Sequence, residues 1–226
     1  MVMNTNFLEN IFEKKKDSKF ANSTKRSIAS AIDVLIVLFL RGILLQLFGM
    51  FYLQKISEQF SLEFQEKFGT ESLKRTPEHI SFLIHHKIFY SFLLTLFIIF
   101  AAGALYYALL NSSPWKATIG KRIMKIMIVD KEDNRISFYN ALFHYFLSAL
   151  PIVFVFYLLI YQEKHHLSFF EAISGNNTNL ILGFIFLIWT QLHMLTKSKT
   201  TAYDLICQTF TINGKSEAKF PWNKVQ

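Results

Sequence analysis

The apolar positions of this chain fall into four long runs separated by polar stretches. The first run, residues 28–53, reads IASAIDVLIVLFLRGILLQLFGMFYL, and the others cover roughly 80–110, 138–161 and 178–195. Each is near or above the ~17–25 residues that a helix needs to cross a bilayer, so the pattern predicts four membrane helices, the last the shortest. Asn22, Ser23 and Thr24 offer N-cap oxygens to the first. Beyond it, Ile56, Phe60, Phe64 and Phe68 recur every four residues among Glu58, Gln59, Glu63, Glu66 and Lys67. That is an amphipathic helix, either prolonging the first span or lying along the outer surface. Gly69-Thr70 ends it, and Thr76-Pro77-Glu78 supplies a cap, a proline at the first helical position and an acid in the first turn, where the second membrane helix is expected to start.

Between the second and third runs, residues 125–129 are β-prone, 130–134 turn-like, and 135–137 extended again, which predicts a hairpin. The stretch 208–212 ahead of Asn213-Gly214 repeats the theme, and these pieces are expected to pair in a small sheet at the inner membrane surface. The fold class expected is an all-α membrane protein of about four transmembrane helices with a small cytoplasmic β element. Its parts are a basic segment 1–27, a transmembrane domain 28–212 and a tail 213–226. Within the first part, Phe7, Leu8, Ile11 and Phe12 precede Lys14, Lys15 and Lys16 at helical spacing, which fits an amphipathic helix on an anionic leaflet as well as it fits a disordered tail.

Composition agrees with the pattern: 52% of 226 residues are hydrophobic, 25 are Phe, and 18% are charged. The first residues are polar and basic and the first apolar run is too long for a cleavable signal. The net charge of +8 invites a nucleic-acid reading, but its distribution follows the membrane. Residues 1–27, 111–137 and the stretch after 195 hold 17 Lys and Arg, and the intervening loops hold 6. By the positive-inside rule both termini are expected to be cytoplasmic, the partners expected are the lipid bilayer and monovalent cations or protons, and no nucleic acid is expected. One cysteine, Cys207, excludes an intramolecular disulfide and a cysteine-based zinc cluster.

Asp33 and Arg41 lie inside the first run, where a charge costs about 2.5–3.5 kcal/mol unless it faces protein, water or a partner charge. Three stretches also resemble the RDD family of small membrane proteins: RSIASAID from Arg26 to Asp33, TIGKRIMKIMIVDKEDNRISFYNAL from Thr118, and AYDLICQTFTI with Asp204. The resemblance assigns the family's arginine to Arg26 and its two aspartates to Asp33 and Asp204. The chain departs from the family with Tyr203 for a usual His, Gln208 for a usual Gly and His144 where Arg is common. It implies an RDD-type transmembrane domain and a bacterial inner-membrane setting; for activity, transport has been proposed, with some members linked to sodium/proton exchange.

A spacing of seven residues leaves Arg26 and Asp33 on one helix face about 10.5 Å apart. His144, His193 and Asp204 fall at comparable depth near the inner ends of later helices. The reading therefore expects a polar cluster in the inner third of the membrane, built from Arg26, Asp33, His144, His193 and Asp204, with Lys121 and Arg122 at its cytoplasmic mouth. There an aspartate can exchange a proton for a monovalent cation, and a histidine can relay it. The alternative is that Arg26 and Asp33 tie helix ends to the sheet and never move. Arg41, turned ~80° from Asp33 and ~12 Å further out, is assigned a buried structural or substrate contact. His79, His85, His86, His165 and His166 on the outer side lack a fixed ligand spacing, so they are expected to be solvated, with no metal and no cofactor. Gly120-Lys121 lacks the upstream glycine of a phosphate loop, and no HExxH or nucleophile elbow occurs, so an enzyme is not expected. Two functions stay open: transport of ions or a small solute, including cation/proton exchange, and a non-transporting assembly or scaffold module. Small residues such as Gly42 and Gly49 suit a homo-oligomer in either case.

Overall fold

A computed structural model describes residues 19–69, 76–165, 167–196 and 198–222; the amphipathic stretch expected around Phe7 and Phe12 lies outside the described residues. Four helices are long and apolar enough to cross a membrane: Ser23–Phe68, Lys87–Asn111, Phe138–Gln162 and Asn177–Leu195. Their apolar side chains point outward. Leu35, Phe39, Phe51 and Ile160 are 67%, 70%, 80% and 70% exposed, a surface that hydrocarbon accommodates and water does not.

The first span starts where the caps predict, with the Asn22 Oδ1 accepting the Lys25 N–H at 2.8 Å. Helix α1 (Ser23–Phe48) passes through a π turn, Gly49–Leu53, directly into α2 (Gln54–Phe68), so the amphipathic stretch prolongs the span instead of turning away. The second span departs from expectation. Thr76 does cap a helix, accepting from the His79 N–H, but that helix, α3 (Pro77–His85), stops after nine residues. His86 is extended, and its Nδ1 accepts the Ile88 N–H at 3.1 Å, so it caps the separate span α4 (Lys87–Asn111). After the short α5 (Ile119–Ile123) and strand β1 (Ile126–Val129) comes the third span, within α6 (Phe138–His165). A six-residue helix α7 (Phe169–Ser174), started by a Ser168–Glu171 capping box, precedes the fourth span α8 (Asn177–Leu195). Helix α9 (Ala202–Cys207) and strand β2 (Phe210–Asn213) close the chain.

β1 does not fold back on residues 135–137 as a hairpin. It pairs antiparallel with β2, Ile126 opposite Asn213 and Val129 opposite Phe210. The intervening residues are occupied otherwise: Asp130 Oδ1 accepts the N–H groups of Glu132 and Asn134, closing a tight loop. The other edge of β2 is met by the N-terminal stretch, through a Phe20–Ile212 bridge and an Ala21 N–H bond to the Thr211 carbonyl.

The chain forms two compact units, one of Met1–Asp33 with Tyr107–Gln226, the other of Val34–Tyr106. In the first, Ala21, Ala29 and Ile126 form one small core, and Ala108, Ile128, Ile136 and Ala141 another. In the second, the aromatic stripe of α2 packs against α3. The His79 ring lies 5.1 Å from Phe64 and 4.3 Å from Phe68, and His86 stacks on Phe82. His79 is 5% exposed, so these two histidines are packed among rings and not solvated, because the i, i+4 phenylalanines that make α2 amphipathic need a covering surface.

Candidate functional site

The polar residues of the first unit gather at the sheet-bearing ends of the spans. Arg26, in the first turn of α1, forks: Nη2 pairs with Asp204 Oδ2 and Nη1 donates to the Lys199 carbonyl, both at 2.5 Å. His144 Nε2, from the second turn of α6, donates to the other Asp204 oxygen at 2.8 Å. The Thr201 N–H donates to Asp204 Oδ2 at 2.9 Å, and the Thr201 hydroxyl accepts in return from the Asp204 N–H, a capping box at the start of α9. Asp204 is 1% exposed. Burial alone would raise its carboxyl, but the His144 hydrogen bond, the Arg26 charge and the Thr201 N–H together hold it well below the usual carboxylate range. It is a fixed anion joining three helices.

Asp33, also 1% exposed, joins α1 to one more, α5. Its Oδ2 accepts from the Thr118 hydroxyl at 2.5 Å and its Oδ1 from the Gly120 N–H at 2.8 Å, so the carboxylate of α1 receives the start of α5. The approach needs glycine: a Cβ on Gly120 would stand 2.2 Å from the Ala29 carbonyl oxygen. Beside it, Lys121 Nζ donates to Asn111 Oδ1 at 3.0 Å. Burial lowers Lys121 to about 8 against the pull of Asp33 and Asp204, with Arg26 adding to the fall.

Of the expected cluster, the structure thus brings Arg26 and His144 onto Asp204, and sets Lys121 within electrostatic reach of Asp33, Asp204 and Arg26. His193, 7% exposed, feels the Arg26 and Asp204 charges as well. Its Nδ1 donates to the Thr190 carbonyl at 3.0 Å, so in the neutral ring Nε2 is an acceptor that can take up a proton. Among the described residues that buried Nε2 meets no hydrogen-bond partner. Arg41 is engaged in the second unit, where its Nε donates to the Ile99 carbonyl at 2.9 Å; of its two expected contacts, the structural one is present. Arg122 does not open onto the cluster. Its guanidinium lies 4.4 Å over the Trp115 ring and donates to the carbonyls of Ser216 and Ala218, clamping the tail. Among the described residues no three His, Cys, Asp or Glu side chains are grouped to hold a metal ion.

Thr118, Gly120, Asn111 and Thr201 were not expected at the site. Thr201, three residues before Asp204, has the spacing of a capping box and was open to recognition; nothing in the local sequence marks Asn111. Two departures from the family pattern, His144 and Tyr203, meet here with ring centroids 4.9 Å apart. The third, Gln208, ends α9 in the left-handed conformation at φ 53° and ψ 42°, a position that favours glycine.

Four helices long and apolar enough to cross a bilayer, with lipid-compatible surfaces, define a helical integral membrane protein. The chain belongs to the RDD family, whose model matches residues 20–208. It is similar to the uncharacterized protein YxaI of Bacillus subtilis (strain 168), at 31% identity over 77 residues that cover 33% of this chain and 51% of the relative. The chain thus spans about half the length of that curated relative. No solved structure matches the chain.

Proposed function

We propose that the protein moves ions or a small solute across a bacterial inner membrane by cation/proton exchange, with both termini and the sheet in the cytoplasm. The orientation rests on the balance of 17 Lys and Arg against 6. In this reading His193 is the proton carrier. The observation that supports it is the unpartnered Nε2 of a buried imidazole held beside the Arg26–Asp204–His144 group. Asp33, first expected to do the exchanging, is given a positioning role, because its oxygens accept from Thr118 and Gly120. Those same bonds favour the competing reading, a non-transporting assembly or scaffold module that forms homo-oligomers: satisfied carboxylates tie helices together and leave little to bind a passing cation.

Proteoliposomes holding a trapped pH dye decide between them. Sodium, lithium or potassium pulses, against choline, are expected to drive proton flux in wild type and none in His193→Gln. Asp33→Asn is expected to lower the folded yield more than the flux per folded molecule. Flux retained in His193→Gln removes the histidine from the path. Folded wild type that shows no flux above empty liposomes leaves the assembly module, to be pursued through oligomer mass and co-purifying partners.

A further inference from the structure

Two short helices of the first unit, α5 and α9, each have one seated face and one exposed aliphatic face. In α5, Gly120 is buried against Ala29 and Asp33, whereas Ile119 and Ile123, four residues apart and so on one side, are 36% and 59% exposed. In α9, Asp204 and Cys207 are buried at 1% and 6%, whereas Leu205 and Ile206 are 49% and 51% exposed. We infer that α5 and α9 are interfacial membrane helices, with Ile119, Ile123, Leu205 and Ile206 covered by lipid at the boundary between headgroups and acyl chains.

Depth along the first span supports this occupant. Ala29 and Asp33, which α5 touches, stand about 9 and 15 Å along the helix from Ser23 at 1.5 Å per residue. Ile28, beside Ala29, opens the apolar run and is itself 43% exposed. Helix α5 therefore lies alongside turns that already border hydrocarbon, and its isoleucines at that level meet acyl chains. Helix α9 pairs with Arg26, about 4.5 Å along from Ser23, which sets it nearer the headgroups. Charge is complementary as well. Lys125 adjoins the α5 face and Lys199 precedes α9, a basic flank suited to an anionic leaflet. An apolar face with lysine beside it is the pattern of a helix lying in the membrane plane.

Spin labels measure the depth. In the full-length Cys207→Ala chain, cysteines replace Ile123, Leu205, Phe39 as a control in a span, and Lys131 as a control in an exposed loop. Each labelled protein is placed in vesicles of phosphatidylcholine with phosphatidylglycerol. At Ile123 and Leu205, collision with oxygen is expected to exceed collision with a water-soluble nickel chelate by roughly threefold or more, as at Phe39, with the order reversed at Lys131. Nickel accessibility at both test sites equal to that at Lys131 overturns the inference. So does protection from both reagents, which would mean that a second protein surface covers the face. Wild-type protein gives an independent readout that needs no substitution: vesicles carrying a lipid with a diazirine near the glycerol should leave adducts within Ile119–Ile123 and Ala202–Cys207, and adducts confined to the four spans would reject the assignment.

Discussion

Lys121 holds an ammonium group where little water reaches it, with Asn111 as its hydrogen-bond acceptor. The unfolded chain keeps this proton up to an ordinary lysine value of 10.5, whereas the folded chain releases it near 8. Between those values unfolding takes up a proton, so this residue makes the fold more stable as pH rises. The melting temperature of wild type in detergent should therefore rise relative to Lys121→Met from pH 7 to pH 10; a constant difference would mean that the ammonium is solvated. Asp33 was legible because a charge in an apolar run demands a partner; Arg26 and Asp204 were pointed to by the family resemblance, and His144 by its depth near the inner end of its helix. Thr118 and Gly120 were not legible, because a hydroxyl and a missing Cβ are unremarkable until the helix they touch is known. His79 and His86 were misjudged for the opposite reason: a histidine near a helix end reads as solvated, and only the phenylalanines of α2 show that it is packed.

At the scale of elements, a helix of five residues cannot hold itself together, since so short a piece gains few internal bonds for the order it costs. Helix α5 persists because Asp33 receives its first turn and Ala29 its backbone. Gly120→Ala forces a methyl group into the Ala29 carbonyl, and overpacking of this kind costs about 1–3 kcal/mol. The variant should melt earlier and give less monodisperse protein on size exclusion, and an unchanged melting temperature would show that α5 is loosely docked. The long spans could be read from hydropathy alone because their length is set by the bilayer. The break at His86 could not, since Thr76-Pro77-Glu78 marks a start correctly but says nothing of a stop nine residues later. The pairing of β1 with the stretch near 208–212 could be read, whereas the exclusion of residues 135–137 from the sheet could not, because it depends on the tight loop that Asp130 closes.

For the whole molecule, residues 20–25 meet residues 210–213. Phe20 bridges Ile212, Lys25 Nζ donates to Asn213 at 3.0 Å, and β2 is held between the N-terminal stretch and β1. The family match stops at residue 208, before β2 begins. A chain ended after Gln208 should nevertheless lose folded yield and melt well below the full chain, because Ile126, Ile128 and Val129 would be stripped of their cover; equal stability would make the sheet dispensable. The overall plan of four spans and a small sheet was legible in the sequence. The division into two units was not, since it depends on which helices pack together and hydropathy is silent on that. The Arg26–Asp204 pair has a further consequence, in time. Its members are separated by 178 residues, and those of the Asp33–Thr118 bond by 85. While the ribosome is still at work, the first helix must enter the bilayer with both charges unanswered. Among the described residues the last helix to be made is the one that answers Arg26, so a chain that stops short of it leaves this arginine without its carboxylate.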